Sequence, residues 1–255
     1  MSDMLANERH EQILNLLEKH GTVRTIDLAE AFQVTDETIR RDLSALSEDG
    51  KLLKVHGGAS SLSGRPKPQS FIERSLQNPQ EKEAIAKEAL KLVEPKKTYA
   101  FDSSTTAMSL VTILPDDELR VVSNAFAVFE HLAPKQDIEL ISTGGTFHKK
   151  TRTFVGGNTL QSVRRHHVDI AFISCIGFNY KAGAGEGFEA QATYKELLVR
   201  HANKVVMMID SSKFGRQADY YFASCEQIRR IITDNKIEPE AAKTIRDMGI
   251  ELIIA

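Results

Sequence analysis

The stretch Thr35-Asp-Glu-Thr-Ile-Arg-Arg-Asp-Leu43 combines a helix-capping residue with apolar residues at helical spacing. The hydroxyl of Thr35 can accept a hydrogen bond from a free amide of the first helical turn. Ile39, Leu43 and Leu46 recur at the spacing of one helix face and predict a buried stripe. The residues that point away from this stripe are Glu37, Thr38, Arg40 and Arg41.

A second short helix is predicted immediately upstream, at residues 25–32, and only Gln33 and Val34 separate it from this stretch. The spacing favours a helix-turn-helix, whose second helix enters the major groove of DNA. An amphipathic helix over Glu8–Lys19 precedes the pair. Residues 51–58 predict a short hairpin, which would make the unit a winged helix-turn-helix. The alternative is a small helical domain with arginines on its surface.

The run of Arg9, Ile13 and Leu17 followed by Thr35-x-x-Thr38-Ile-Arg-Arg-Asp-Leu43 resembles the DNA-binding signature of the DeoR/GlpR-type bacterial transcriptional regulators. The segment Lys54-Val-His-Gly-Gly-Ala59 resembles the wing of the same family. The resemblance implies that double-stranded operator DNA is a partner. The expected DNA-binding residues are Thr35, Glu37, Thr38, Arg40, Arg41, Lys54 and His56.

The charge of the first sixty residues does not favour bulk attraction to DNA. They hold seven Lys and Arg against eleven Asp and Glu, and the whole chain has a formal net charge of −2. Because nucleic-acid-binding domains are usually basic, the basic residues must be focused on one face. We therefore expect weak non-specific binding and a modest dependence of the affinity on salt.

The chain has 255 residues and two cysteines, Cys175 and Cys225. This length leaves room for a sizeable second domain after the first sixty residues. Both cysteines lie in apolar runs that predict buried strands, so we expect free thiols and a reducing compartment. No apolar run approaches the ~18–20 residues of a membrane span, and no signal peptide is recognised. A soluble, cytoplasmic protein that does not contact membranes is expected.

The composition predicts a linker at residues 61–78, because Ser60–Gln69 is rich in Ser and Gly and carries Pro66 and Pro68. A winged helix-turn-helix domain is expected at 1–60 and an α/β domain at 79–255. In that second part, short apolar strands alternate with helices, which favours a parallel or mixed sheet covered by helices. Sheets of this kind bind ligands at the carboxyl ends of their strands.

Four loops at predicted strand ends are rich in small polar residues. Asp102-Ser-Ser-Thr-Thr106 opens a helix, where free amides and hydroxyls can hold an anion. Ser123-Asn124, Thr143-Gly-Gly-Thr146 and Asp210-Ser-Ser-Lys-Phe-Gly215 follow later strands, and Lys213 can meet a negative group. Capping and turn chemistry would explain any one of these loops. Four of them together favour a shared ligand pocket.

These loops resemble the effector-binding domain of the same regulators, which is related to ribose-5-phosphate isomerase and similar sugar-phosphate folds. The resemblance implies a phosphorylated sugar, or a related small phosphate, as the effector. The phosphate would be held by Asp102, Ser103, Ser104, Thr105 and Thr106. The sugar end would be lined by Asn124, Gly144, Gly145, Asp169, Glu189, Lys195 and Lys213. The family usually has glycine at the position of Ser104, so this serine would narrow the loop or add a hydroxyl contact.

Two further features can be interpreted either as part of a ligand site or as purely structural. Gly183–Glu189 contains three glycines in five residues and would be either a lid that orders around a ligand or a mobile surface loop. Asp169 lies inside an apolar strand, where an unpaired carboxylate is costly. Its partner is therefore either a structural donor or a ligand hydroxyl.

An alternative interpretation is that the second domain is a sugar-phosphate isomerase-like enzyme. Such an enzyme needs a carboxylate base such as Glu186, Glu189 or Asp169. An appended DNA-binding domain is hard to explain for a metabolic enzyme, so we expect no catalytic residues. No cofactor or metal is expected either, and His166 and His167 are interpreted as solvated surface. The sequence thus predicts a repressor of a carbohydrate operon, acting as a symmetric dimer or tetramer.

Overall fold

The computed structural model describes residues 6–55, 57–61 and 71–255, and the chain forms two compact units at residues 1–69 and 70–255. The predicted linker at 61–78 falls partly outside the described residues. Its last part is structured, since residues 71–75 are helical and are counted with the second unit.

The first unit is the predicted winged helix-turn-helix with one additional strand. Its elements are α1 (Ala6–His20), β1 (Thr22–Arg24), α2 (Thr25–Phe32), α3 (Asp36–Glu48), β2 (Leu53–Val55) and β3 (Gly58–Ser60). The antiparallel pair β2 and β3 forms the wing, and β1, which was not predicted, pairs with the other side of β3. The helices bury a small core that includes Ile13, Leu17, Leu28, Ile39, Leu43 and Leu46.

Single residues determine where these helices begin and end. Thr35 precedes α3, and its hydroxyl accepts a hydrogen bond from the amide of Thr38 at 3.2 Å, so the predicted cap is confirmed. Gln33 ends α2 in the left-handed conformation, with φ of 55°. Gly21 follows α1 with φ of 75°, a conformation in which most side chains would be strained.

The second unit is built around seven parallel strands. Their order is β15-β14-β12-β9-β4-β5-β6, and β10-β11-β13 and β7-β8 form small antiparallel sheets. The elements are α4 (Phe71–Ser75), α5 (Pro79–Leu90), β4 (Thr98–Phe101), α6 (Thr105–Ile113), β5 (Leu119–Ser123), α7 (Phe126–Leu132), β6 (Ile138–Ser142), β7 (Thr146–His148), β8 (Thr153–Val155), α8 (Gly157–Val163), β9 (Val168–Ile173), β10 (Gly177–Asn179), β11 (Gly183–Glu186), α9 (Glu189–His201), β12 (Ala202–Met208), β13 (Tyr220–Ala223), β14 (Arg230–Thr233), α10 (Pro239–Asp247) and β15 (Glu251–Ile254).

The main sheet is buried on both faces. Along β9, Phe172 packs in the core that α5, α6 and α7 cover, whereas Ala171 and Ile173 pack in the core that α8, α9 and α10 cover. Because side chains alternate between the faces of a strand, a strand covered on both sides needs a continuous apolar run. The predicted α/β architecture is confirmed, and the carboxyl ends of its strands define one edge of the sheet.

The glycine-rich stretch Gly183–Glu189 is a packed strand at its start, so its interpretation as a lid or mobile loop was wrong. Its first four residues form β11, the middle strand of the small sheet. Gly183 has φ of 92°, and a Cβ there would lie 2.0 Å from the carbonyl oxygen of Ala223. A Cβ on Gly185 would lie 2.4 Å from the side chain of Ala218. The glycines thus permit close packing of the backbone.

Candidate functional site

The exposed face of α3 carries the charged residues predicted to contact DNA. Glu37, Arg40 and Arg41 are exposed, while Ile39 and Leu43 on the opposite face are buried. The Nε atom of Arg41 lies 3.5 Å from Oε1 of Glu37. The side chain of Arg40 has no hydrogen-bond or ion-pair partner among the described residues. Arg40 is therefore available to a phosphate or to the edge of a base.

The two predicted threonines form the beginning of α3. The hydroxyl oxygens of Thr35 and Thr38 are 2.9 Å apart, in addition to the capping bond between the same residues. Thr38 is half-buried. The described contacts of both threonines therefore support the start of the helix, and their contact with DNA stays a prediction.

One lysine of the wing lies beside α3, the second helix of the helix-turn-helix. The Nζ atom of Lys54, on β2, donates a hydrogen bond to the hydroxyl of Ser44, on α3, at 2.8 Å. The predicted neighbour His56 lies outside the described residues. The contact brings a basic residue next to α3 although the unit as a whole is acidic. This position fits the expectation that the basic residues are concentrated on one face.

A buried ion pair joins α3 to α1. Arg9 Nε lies 2.5 Å from Asp42 Oδ2, Arg9 Nη2 lies 3.1 Å from Oδ1, and His10 Nε2 lies 3.0 Å from Oδ1. Burial by itself raises the pKa of Asp42, but the hydrogen bonds and charges of Arg9 and His10 lower it below its usual value. Arg9 and Asp42 both occur in the family signature, and their ion pair orients α3 against α1.

The second unit has a polar cleft at the carboxyl ends of β4, β9 and β12, the sheet edge that the sequence analysis predicted. Its volume is about 370 Å³ including the open mouth. The segment from α4 to the first turn of α5 forms one side of it. The polar lining consists of Arg74, Gln77, Asn78, Lys82, Ser104, Thr105, Thr106, Ser174, Glu186, Asp210 and Lys213.

The first two residues of the predicted phosphate loop serve to hold it in place. Asp102 Oδ1 accepts a hydrogen bond from the amide of Ser104 at 2.9 Å, and Oδ2 accepts one from the amide of Ser174 at 2.8 Å. The hydroxyl of Ser103 donates to Oε1 of Gln191 at 2.8 Å. Asp102 and Ser103 therefore join the ends of β4 and β9 and the start of α9, and they do not line the cleft.

The last three residues of the loop begin α6 and line the cleft. The hydroxyl of Ser104 accepts a hydrogen bond from the amide of Ala107 at 3.1 Å, so the serine that replaces the usual glycine caps this helix. The hydroxyl of Thr105 lies 3.4 Å from the carbonyl oxygen of Arg74, to which it donates. Thr106 is buried and also lines the cleft. The helix start thus presents hydroxyls and free amides to a ligand.

Three cationic side chains line the same cleft: Arg74, Lys82 and Lys213. Lys82 is buried, and its ammonium donates to the carbonyl oxygens of Arg74 and Gln77. Burial lowers the pKa of Lys82 to about 8, with Lys213 and Arg74 acting in the same direction and Asp210 opposing them. Burial also lowers the pKa of Lys213. A bound anion would stabilise the charged form of both lysines.

Lys195, predicted for the sugar end, does not line the cleft but lies buried behind it, between two carboxylates. Its buried Nζ is 2.8 Å from Asp102 Oδ2, contacts Glu186 Oε1, and donates to the carbonyl oxygen of Ser174 at 2.7 Å. Burial alone would lower the pKa of Lys195, but Asp102 and Glu186 raise it above the usual value. Lys195 is therefore a fixed cation that positions Glu186, which itself lines the cleft.

Four of the residues predicted for the sugar end do not line this cleft. The carbonyl oxygen of Gly144 accepts a hydrogen bond from the hydroxyl of Thr159, and a Cβ on Gly145 would meet the same hydroxyl. Asn124 is buried and donates to the carbonyl oxygen of Phe154. Glu189 is exposed beside α8. These four residues lie beside β8 and α8, two elements that the sequence pattern did not predict.

Asp169 lies at the edge of the sheet opposite to the cleft. It is the second residue of β9, so it is at the amino end of that strand. Its Oδ2 accepts a hydrogen bond from the amide of Thr98 at 2.9 Å, with Lys97 and His167 nearby. The partner of this carboxylate is structural, and the structure removes Asp169 from the candidate site.

Arg74, Lys82, Glu186 and Asp210 were missing from the predicted site. Asp210 lies in one of the four polar loops predicted to form the pocket. Glu186 was predicted only as a catalytic base of the alternative enzyme. Arg74 and Lys82 lie before the first strand of the sheet, so the rule that ligands bind at strand ends does not indicate them. The signal that could have indicated them is a pair of basic residues on either side of Pro79, at the end of the predicted linker.

Within residues 6–55, 57–61 and 71–255, no cluster of three His, Cys, Asp or Glu residues is suited to hold a metal ion. No helix of the described residues is both long and apolar enough to span a membrane.

A winged helix-turn-helix unit followed by an α/β unit with a small polar cleft defines a class: DNA-binding regulators that carry a sensor domain. Residues 9–65 match the model of the DeoR-like helix-turn-helix domain, and residues 77–235 match that of the DeoR C terminal sensor domain. The chain belongs to the DeoR family of transcriptional regulators.

Similar proteins extend over most of the chain. The uncharacterised HTH-type transcriptional regulator YulB of Bacillus subtilis (strain 168) is 36% identical, over 98% of this chain and 96% of that protein. GolR of Listeria innocua serovar 6a is 34% identical over 99% and 100%. The L-fucose operon activator of Escherichia coli (strain K12) is 31% identical over 89% and 95%. Ribose 5-phosphate isomerase A from Methanocaldococcus jannaschii is a structural neighbour with a TM-score of 0.41 and 19% identity, over 54% of this chain and 55% of that chain.

Proposed function

We propose that this protein represses a carbohydrate-metabolism operon by binding its operator, and that a phosphorylated sugar in the cleft controls this binding. The observation that carries the proposal is the convergence of Arg74, Lys82 and Lys213 with the start of α6. Cations, free amides and a helix N-terminus together favour a phosphate dianion. The relation to an L-fucose operon activator supports a sugar as the rest of the ligand.

The phosphate binds at the cationic end of the cleft, where Thr105 and Thr106 supply amides and hydroxyls at the start of α6, which Ser104 caps. Sugar hydroxyls extend toward Glu186, whose carboxylate accepts hydrogen bonds and is positioned by Lys195. Lys213 contacts the phosphate from the loop after β12.

DNA binding rests on the exposed face of α3. Arg40 and Arg41 contact base edges or phosphates in the major groove, and Glu37 accepts from a cytosine amino group. Lys54 meets the DNA backbone from the wing, and Thr35, Thr38 and His56 belong to the same proposed surface. One recognition helix reads few base pairs, so a symmetric dimer or tetramer binds paired half-sites. Such a protein acts in the cytoplasm, where the operator is.

The ligand controls DNA binding only if it prefers one arrangement of the protein over another. Each tenfold preference corresponds to about 1.4 kcal/mol, so contacts that are equal in both arrangements change nothing. Repression requires only occupancy of the operator. Activation would additionally require a surface that contacts the polymerase.

The sensor domain binds the sugar phosphate without turning it over. An isomerase needs a carboxylate base within reach of the substrate carbon. The carboxylate of Glu186 lines the cleft, but it is already held in contact with the buried ammonium of Lys195.

The proposal is tested by binding of the full-length protein to DNA upstream of its own operon, with and without a panel of sugar phosphates. Sequence-specific binding that one phosphate relieves is the expected result. Specific binding that no phosphate changes would remove the effector assignment. If no specific binding occurs at any salt concentration and a panel member is isomerised, the protein is an enzyme.

Replacing Thr105 and Thr106 together by valine should leave operator binding intact and abolish the response to the phosphate. Valine keeps the shape of threonine but removes two hydroxyls from the start of α6. The response is measured as the ligand concentration that halves operator occupancy. The matched control is Thr112→Val, because Thr112 is exposed on the same helix. An unchanged response in the double variant would exclude a phosphate role for these residues.

The affinity for the phosphate should fall as the pH rises above 8. In the empty cleft the pKa of Lys82 is lowered to about 8, so the lysine loses its charge in this range. The phosphate group keeps its second negative charge above a pH of ~7 and does not cause the change. Because binding favours the protonated lysine, the affinity should decrease about tenfold between pH 7 and pH 9. Titration calorimetry across this range measures the effect.

The variant Lys82→Arg should flatten this pH dependence, since arginine stays charged. The control is Lys87→Arg on the same helix, where an exposed lysine is paired with Glu83. A pH dependence that persists in Lys82→Arg would show that another group titrates.

A further inference from the structure

Residues 71–78, which we term the strap, form the first described segment of the second unit, which begins at Ser70. The strap consists of α4 and the three residues that separate it from α5. Three of its residues line the cleft: Arg74, Gln77 and Asn78. The strap is therefore part of the candidate site, and it is also the segment by which the chain from the DNA-binding unit enters the second unit.

Apolar packing contributes little to the position of the strap. None of the five described residues of α4 is buried. Ile72 is 64% exposed, and Leu76, one helical turn later, is 77% exposed. The backbone hydrogen bond between the amide of Leu76 and the carbonyl oxygen of Ile72 is 3.3 Å long. Segments that bury few apolar groups open at a low cost in free energy, so polar contacts decide whether the strap stays in place.

Two residues of the cleft hold the backbone of the strap. The buried ammonium of Lys82 donates to the carbonyl oxygens of Arg74 and Gln77, and the hydroxyl of Thr105 donates to that of Arg74 at 3.4 Å. An ammonium has three N–H groups, so one donor of Lys82 is left for a ligand. The position of the strap and the binding of an anion thus depend on the same ammonium.

The side chain of Arg74 reaches from the strap to the cleft. Its guanidinium has no hydrogen-bond or ion-pair partner among the described residues, and its Cζ lies 5.9 Å from the centre of the Phe71 ring. Burial is the largest cause of the lowered pKa values of Lys82 and Lys213, and the charge of Arg74 lowers both further. In the empty cleft these like charges repel Arg74, and with it the strap. A phosphate between them replaces repulsion with attraction, since arginine can donate two parallel hydrogen bonds to it.

We propose that a phosphate in the cleft pins the strap to the second unit through Arg74, so that occupancy of the cleft orders the segment that leads to the DNA-binding unit. This inference rests on the proposed function, because it assumes that the cleft binds a phosphate. It adds the element whose arrangement differs between the occupied and the empty protein, and control by a ligand requires such a difference.

The experiment measures amide hydrogen exchange of the full-length protein by mass spectrometry, in saturating inorganic phosphate and in potassium chloride of equal ionic strength. The chloride sample controls for screening of the cations by salt. Two peptides are compared, one that covers the strap and one that covers the start of α6 with its free amides. The variant Arg74→Gln removes the guanidinium and keeps the carbonyl oxygen that Lys82 contacts. Arg246→Gln is the matched control, because Arg246 is exposed on α10.

In the unmodified protein, phosphate should slow exchange in both peptides, by about tenfold or more in the strap. The reason is that a hydrogen bond to a charged group must break before the strap opens. In Arg74→Gln, saturating phosphate should still protect the start of α6, whereas the protection of the strap should be largely lost. Arg246→Gln should behave like the unmodified protein.

Protection of α6 without protection of the strap in the unmodified protein would overturn the inference and leave the phosphate site standing, even if Arg74→Gln does not fold. Full protection of the strap in Arg74→Gln would overturn it as well, because Arg74 would then not be the link. If phosphate protects neither peptide, the phosphate site itself is contradicted, and with it the proposed function.

Discussion

Replacing Arg40 by alanine should abolish specific operator binding and leave the binding of sugar phosphates unchanged. Arg40 is exposed on α3 and has no partner among the described residues, so its removal should not disturb the fold. An arginine that contacts a base edge contributes about 1–3 kcal/mol to discrimination. In a symmetric dimer the loss occurs twice, which corresponds to a decrease in affinity of about thirtyfold to about twenty-thousandfold.

The measurement is a titration of labelled operator DNA, accompanied by calorimetry with the effector. Arg229→Ala is a suitable control, because it removes the same charge from an exposed position of the second unit. This control variant should have nearly unchanged operator affinity. If Arg40→Ala loses both DNA and sugar-phosphate binding, Arg40 has a structural role. If it keeps full operator affinity, the exposed face of α3 does not contact DNA through Arg40.

Replacing Asp42 by asparagine should strongly destabilise the DNA-binding unit. The change leaves the buried guanidinium of Arg9 without its counter-charge, and breaking a buried pair in this way costs about 3–5 kcal/mol. A unit of about sixty residues has a free energy of unfolding of only about 3–9 kcal/mol. Urea unfolding followed by circular dichroism should therefore show early loss of the helices of the first unit.

The matched control is the exposed pair of Arg24 and Asp27 on the same unit, whose atoms are 2.8 Å apart. Asp27→Ala should change the free energy of unfolding by less than about 1 kcal/mol, since exposed ion pairs contribute little. Binding of the effector by the second unit should persist in both variants. A cost of less than about 1 kcal/mol for Asp42→Asn would mean that packing of Ile39 and Leu43 alone holds α3 in place.

Elements with a clear hydrophobic periodicity or a clear capping residue were predicted with nearly the observed boundaries. The boundaries predicted for α2 are those observed, at residues 25–32, and α3 begins directly after the predicted cap Thr35. Both combine several apolar residues with a polar boundary, so the local pattern and the tertiary packing agree. The hairpin of β7 and β8 and the small sheet of β10, β11 and β13 were missed. Strands of three or four residues are too short to show a period.

Part of the candidate site was predictable, because residues that directly follow the strands of a parallel sheet lie at the same edge of that sheet. Thr105, Thr106 and Lys213 follow strands, and the structure brings them to one cleft. Asp169 could have been excluded by the same rule, because it begins its strand. Asn124 and Gly144 also follow strands, but β5 and β6 are on the far side of β4 from β12, and the order of strands was not predictable.

The sequence by itself determined the winged helix-turn-helix, the parallel α/β domain and the family, because periodicity, caps and signature residues are local properties of the chain. Only the tertiary structure decided which polar residues share the cleft. Arg74 and Lys82 precede the sheet, and Asp210 follows its fifth parallel strand in chain order, yet they line one cavity. The physical reason is that burial and charge pairing act through space. The pattern along the chain therefore cannot show that Lys82 is buried, or that one carboxylate oxygen of Asp210 has no hydrogen-bond donor among the described residues.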